Sequence, residues 1–210
     1  MSGLLELLNS DLGKQIISGV SKETNQPEDK TANVLSMAMP LLMGAMKKNV
    51  QSSEGASGLM NALNSKHDGS ILNNLGGLFE GGVNDSVKQD GAGILGHLLG
   101  GKQSAVENTL SAQSGMDAGS ISNILKVAAP ILMGVVGSQL RQNKVNNASD
   151  MNTLLGSMLG GQPKQNQSLI TSLLDADGDG SVLDDVAGMV LGSNKKKGGL
   201  GGLLGGLFGK

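Results

Sequence analysis

Residue types able to do chemistry are concentrated in one stretch of this chain. Residues 174–185 read LDADGDGSVLDD and hold five aspartates. An EF-hand loop takes oxygens from positions 1, 3, 5, 7 and 12, with glycine at 6 and an apolar residue at 8. With Asp175 as the first position, Asp177 and Asp179 fall on the third and fifth, Gly180 on the sixth, the Ser181 carbonyl on the seventh and Val182 on the eighth. The twelfth is Val186, where the bidentate glutamate belongs, and Asp184 and Asp185 are the nearest further carboxylates. Without that ligand, calcium is expected to bind weakly, with Kd of ~10⁻⁴–10⁻³ M.

A second reading needs no ion. Asp68-Gly69-Ser70-Ile71-Leu72 and Asp90-Gly91-Ala92-Gly93-Ile94-Leu95 echo Asp179-Gly180-Ser181-Val182-Leu183. Aspartate ahead of glycine, serine and an apolar run is a helix start, its carboxylate capping free amides. Only Asp175 and Asp177 are additional in the third copy, and clustered carboxylates without a cation repel one another. A weak structural calcium loop and a capped acidic turn are therefore the two expectations for 174–185.

Nothing else suggests catalysis. His67, in SKHDG, and His97, in GHLLG, have no carboxylate at helical spacing suited to a metal pair, so each reads as a surface or partly buried histidine. No serine lies in a Gly-x-Ser-x-Gly elbow, and no run matches a phosphate loop. With no cysteine, disulfides, thiolate catalysis and zinc–thiolate sites are excluded. A net charge of −2 and the lack of Trp and Tyr disfavour nucleic-acid binding, which uses basic footprints and aromatic stacking. A non-enzymatic protein with no catalytic residue is expected.

The positioning elements read as helices. The core must come from Leu, Ile, Val, Met and Ala, since Phe79 and Phe208 are the only aromatics. Thirty-four glycines, at ~1 kcal/mol each in a helix interior, favour short helices. Leu4, Leu5, Leu7, Leu8, Leu12, Ile16 and Ile17 have the spacing of an amphipathic helix or helix pair. Pro27 with Glu28 and Asp29 marks a helix start, and that helix runs to Lys47-Lys48.

A tandem duplication organises the chain. NVLSMAMPLLMGAM from Asn33 matches NILKVAAPILMGVV from Asn123, 90 residues on, so that Pro40 falls on Pro130 and Leu42-Met43-Gly44 on Leu132-Met133-Gly134. Leu8 pairs with Leu98 and Ile16 with Val106 at the same spacing, and Met60-Asn61 meets Met151-Asn152 after a one-residue slip. Two degenerate tandem helical repeats follow, 1–90 and 91–162, then an EF-hand-like helix-loop-helix over 163–192 and a flexible Gly/Leu/Lys tail over 193–210. A proline inside a helix costs about 3 kcal/mol, so each apolar run is expected to kink or break there.

The GLLELL helix, the Pro-x-Leu-Met-Gly helices in SMAMPLLMGAM and VAAPILMGVV, the DGSILNNLGGLF segment and DADGDGSVLDDVAGM together resemble the bacterial YidB-like proteins, the domain of unknown function 937 family, up to about residue 192. The resemblance implies an all-α multihelical fold and lends no catalytic residue.

The apolar runs 34–46 and 127–136 fall short of the ~20 residues of a spanning helix, and no signal-peptide pattern opens the chain, so a cytoplasmic location is expected. In the tail, Leu200, Leu203, Leu204 and Leu207 share one helical face, while seven of the thirteen residues in 198–210 are glycine. With Lys195, Lys196, Lys197 and Lys210 and no acid, 195–210 has the character of a peripheral membrane contact. The leading expectation is a structural or interaction protein with an unspecified protein partner, and the membrane tail is the alternative. On the calcium reading, millimolar calcium raises the melting temperature followed by circular dichroism, and Asp175→Ala with Asp179→Ala removes the rise. An identical melt in calcium and in chelator sinks that reading.

Overall fold

The computed structural model describes residues 4–174, which are all-α, so the acidic stretch 175–185 and the tail lie outside the described residues. Helices α1 (Leu4–Asn9) and α2 (Asp11–Thr24) are separate because Ser10 turns the chain and caps α2, its hydroxyl accepting from the Gly13 amide at 3.2 Å. They are followed by α3 (Glu28–Asn49), α4 (Ser53–Ser65), a 3₁₀ turn (Ser70–Asn74) and α5 (Leu75–Phe79). Then come α6 (Asp85–Leu99), α7 (Gln103–Ser114), α8 (Ala118–Gln142), α9 (Ala148–Leu159) and α10 (Lys164–Leu174).

Helices α3 and α8 form the centre. Every residue from 37 to 47 of α3 and from 127 to 137 of α8 is buried, about three turns each, so no face of either helix is left to solvent. Most of the other helices pack on one or both. At 25 residues α8 is long and apolar enough to cross a membrane, longer than the run 127–136 suggests. Of its most apolar window, however, 72% is buried against the rest of the fold.

Neither helix breaks at its proline. Pro40 cannot donate to Ser36 O, and Pro130 cannot donate to Lys126 O, leaving two carbonyls short of a partner inside the protein. The first is satisfied from another helix: the Asn166 side chain of α10 donates to Ser36 O at 3.0 Å. At the second, α6 presses its backbone against α8 so closely that a Cβ on Gly91 would overlap Lys126 O. The break expected from local propensity is absent because neighbouring helices serve, or closely cover, the carbonyl each proline strands.

Glycines set three more close contacts between elements. On α8, Gly134 receives Ile71, and Gly137 lies under the His67 carbonyl, where a Cβ would collide with backbone. On α3, Gly44 receives Ile170 and Leu174 of α10. The Phe79 ring of α5 packs where a Cβ on Gly19 of α2 would be. Glu23 of α2 pins the connection to α6: its carboxylate accepts from the Val83 amide at 2.7 Å and pairs with Lys88 at 2.6 Å. Burial would raise the Glu23 pKa, but those hydrogen bonds and the Lys88 charge outweigh it and hold it below the ordinary value.

Asp68 does start a helical turn, its carboxylate accepting from the Ser70 amide at 2.9 Å. Asp90 does not: Asn84 already caps α6, so Asp90 lies within the helix. Residue 90, the expected end of the first repeat, is likewise inside α6.

Gly91→Ala and Gly137→Ala should each lower stability by roughly 1–3 kcal/mol, because the opposing backbone cannot yield, even though alanine favours helix by ~1 kcal/mol. Denaturant unfolding checks this; an unchanged or raised midpoint would contradict the close approach.

Candidate docking groove

Helices α4 and α6 both lie on α8 but do not close against each other. Between them is an open groove of about 840 Å³. Leu59 of α4, Ile94 of α6 and Met133 of α8 form its apolar lining, all nearly fully buried. Gly58 and Gly93 stand on opposite walls, and a Cβ on either would meet nothing within 4 Å among the described residues. Their neighbour Gly55 is different, since a Cβ there would strike the Asn49 carbonyl. Helix-interior glycine costs ~1 kcal/mol against alanine, and packing among the described residues gives no reason for Gly58 and Gly93.

One end of the groove is closed by charge. Asp90 accepts from Lys66 Nζ at 2.5 Å and faces His67 Nε2 at 3.6 Å. His67 is 7% exposed and held by the turn that follows α4. Gly69 takes a positive φ of 98°, and Arg141 of α8 clamps the turn by donating to the Asp68 carboxylate at 3.0 Å and to the Asp68 carbonyl. Burial pushes the His67 pKa below its ordinary 6.5; Asp90 opposes the shift and Lys66 adds to it. The Asp68 pKa is also lowered, first by hydrogen bonds from Ser70 and then by Arg141.

The two histidines are therefore not isolated as their sequence surroundings suggest. Both line this groove, His67 buried at one end and His97 exposed toward the other, with Asp90 as the carboxylate neighbour of His67. The reason is tertiary: Asp90 is 23 residues from His67, and only the shared packing on α8 brings them together. The sequence signal was the set of glycines in the interiors of α4 and α6, from which only the structure picks out Gly58 and Gly93 as facing the groove. Asp175, Asp177, Asp179, Ser181, Asp184 and Asp185 lie outside the described residues. Just ahead of them, Lys48 and Lys102 both donate to the Leu174 carbonyl, at 3.0 and 2.9 Å, ending α10 between two cations.

The fold and groove define an all-α protein with an apolar cleft and no His, Asp and Glu cluster able to hold a metal among the described residues. The chain belongs to the family described as bacterial protein of unknown function (DUF937), which matches residues 6–139 and 141–210. No curated protein and no solved structure matches it.

Because folding disfavours protonated His67, the native state binds fewer protons there than the unfolded chain does. Stability contributed at this site is full above about pH 6.5 and is lost as pH falls toward the lowered native pKa. His67→Gln should flatten the rise in melting temperature between about pH 5 and 7. An unaltered slope would show that His67 does not carry it.

Proposed function

We propose that this chain is a non-enzymatic interaction protein whose α4–α6 groove takes a short apolar segment of a partner protein, rich in small residues and leucine and carrying a basic residue. The observation that carries the reading is the open pair Gly58 and Gly93: both cost helix stability, and both widen a cleft floored by Leu59, Ile94 and Met133. A leucine-bearing helix laid in such a groove gains about 1.5–3 kcal/mol for each leucine fully buried. Glu54 at the rim favours a basic residue on the occupant. The Lys66–Asp90–His67 cluster is already paired within itself, which suits closing the groove better than attacking a substrate.

The same reading takes the scaffold as two degenerate repeats that enclose each other's central helix. It is supported by the 90-residue spacing of Pro40 and Pro130 and by Ile71 of the first repeat over Gly134 of the second; the equivalent Gly44 is covered by Ile170, from α10 beyond the second repeat. Helices α4 and α9 support it too. Their caps Ser52 and Asn147, and their buried residues Ala56, Leu59, Leu63 and Met151, Leu154, Met158, align at a spacing of 95. That register is five residues beyond the 90-residue spacing and replaces the one-residue slip that paired Met60 with Met151; the extra residues fall in the longer end of α8 and the connection after it.

The chain lacks cysteine, so Gly93→Cys offers a single labelling position on the groove wall. With an environment-sensitive fluorophore there, a short leucine- and alanine-rich peptide ending in lysine should shift the emission saturably. Gly58→Leu, whose Cβ meets nothing within 4 Å among the described residues and whose side chain extends into the groove, should abolish the shift while keeping the melting temperature. A shift that survives Gly58→Leu, or no shift at any peptide concentration, removes the proposal.

A further inference from the structure

The chain contains a segment with the chemistry this groove requires. LGGLF occurs twice, as Leu75–Phe79 and again at 204–208. The first copy is α5, and its binding mode is explicit: Phe79 lies on the bare backbone face that Gly19 opens on α2, while Leu75 is buried in the core. A leucine–glycine–phenylalanine segment seated on a helical glycine is thus a contact this chain already makes. The groove offers helical glycines of the same kind on both walls, open where the Gly19 face is filled. Resting on the reading of the groove as a docking site, we propose that the chain's own segment 200–208 occupies it and that a partner must displace this segment to bind.

The point where the described chain ends favours this occupant. Leu174 is held by Lys48, next to groove residue Asn49, and by Lys102, close after groove residues His97 and Leu98. The end of α10 is therefore within a lysine side chain's length of two segments that adjoin the groove. Twenty-three residues, 175–197, separate Leu174 from Gly198. Even as a coil, that length spans about 25 Å. The thirteen residues of α4 extend about 20 Å, so every part of the groove is within reach.

Charge agrees with the placement. Lysines 195–197 and 210 flank the apolar segment with no acid among them, and Glu54 stands on the rim near Asn49. Bound in helical form, Leu200, Leu203, Leu204 and Leu207 present one face to Leu59, Ile94 and Met133. The four glycines of this segment, which weaken such a helix in water, keep it thin enough to enter between α4 and α6, and they keep its hold moderate, as a displaceable occupant requires.

The test uses the full chain labelled through Gly93→Cys, compared with the same chain carrying Leu203→Ser, Leu204→Ser and Leu207→Ser. With the tail docked, the serine chain emits at longer wavelength, and its half-saturating concentration for the leucine–alanine peptide falls about tenfold, since a tethered competitor acts at millimolar effective concentration. Added peptide of sequence 195–210 returns the emission of the serine chain to that of the parent. Equal emission and equal half-saturation in the two chains overturn the tail as occupant while leaving the groove's affinity for the peptide standing. Failure of the peptide to bind either chain removes the groove reading itself. If the serine substitutions instead abolish co-sedimentation with anionic phosphatidylserine vesicles and leave the groove fluorescence unchanged, the tail belongs to a membrane surface and the proposal falls.

Discussion

A proline in a buried helix creates a local debt of one hydrogen bond, and in this protein that debt organises the neighbouring helices. Pro40 and Pro130 leave the carbonyls of the half-buried Ser36 and Lys126 without their usual donors. A carbonyl left unsatisfied away from water costs about 1–3 kcal/mol, so a partner from a neighbouring helix stabilises the proline-bearing helix. Asn166 brings α10 to the first carbonyl, and bare Gly91 lets α6 close over the second. The adjoining glycines extend the pattern, Gly44 admitting α10 and Gly134 and Gly137 admitting the turn after α4. The central helices are thus wrapped by others at positions where a side chain is missing or a carbonyl lacks its donor.

The groove follows from that arrangement. Helix α6 is held against α8 at Gly91, and the end of α4 is held against α8 at Gly137 and through Arg141 and Asp68. Both helices are fixed by contacts near one end of the cleft, where Lys66, Asp90 and His67 meet. Away from that end Gly58 of α4 and Gly93 of α6 leave space between the two walls, and Met133 of α8 forms the floor with Leu59 and Ile94. The low pKa of His67 has the same origin, since the turn that reaches α8 carries the imidazole out of water faster than Asp90 can compensate.

Much of the helical architecture could be read locally. The leucine spacing near the start of the chain predicts α1 and α2, with Ser10 deciding for a pair over a single helix. Pro27, Glu28 and Asp29 predict the start of α3, and Lys47-Lys48 its last turn. Of the kink or break expected at Pro40 and Pro130, the break does not occur, because intrinsic cost was weighed without the neighbours that meet it. Asp90 looked like a helix start because its sequence resembles Asp68, yet Asn84 had already begun the helix. The two histidines looked isolated because the relevant distance is through space.

By itself, the sequence determined an all-α chain with an apolar core built almost without aromatics, two proline-bearing helices at a fixed spacing, and membership of its family. These follow from side-chain periodicity, capping and composition, which act over a few residues. Only the tertiary structure decided that the prolines leave their helices intact, that His67 meets Asp90, and that Gly58 faces Gly93 across an open cleft. Each of those depends on where a distant helix is placed, and that placement is set by collective packing around α3 and α8, which no local pattern records.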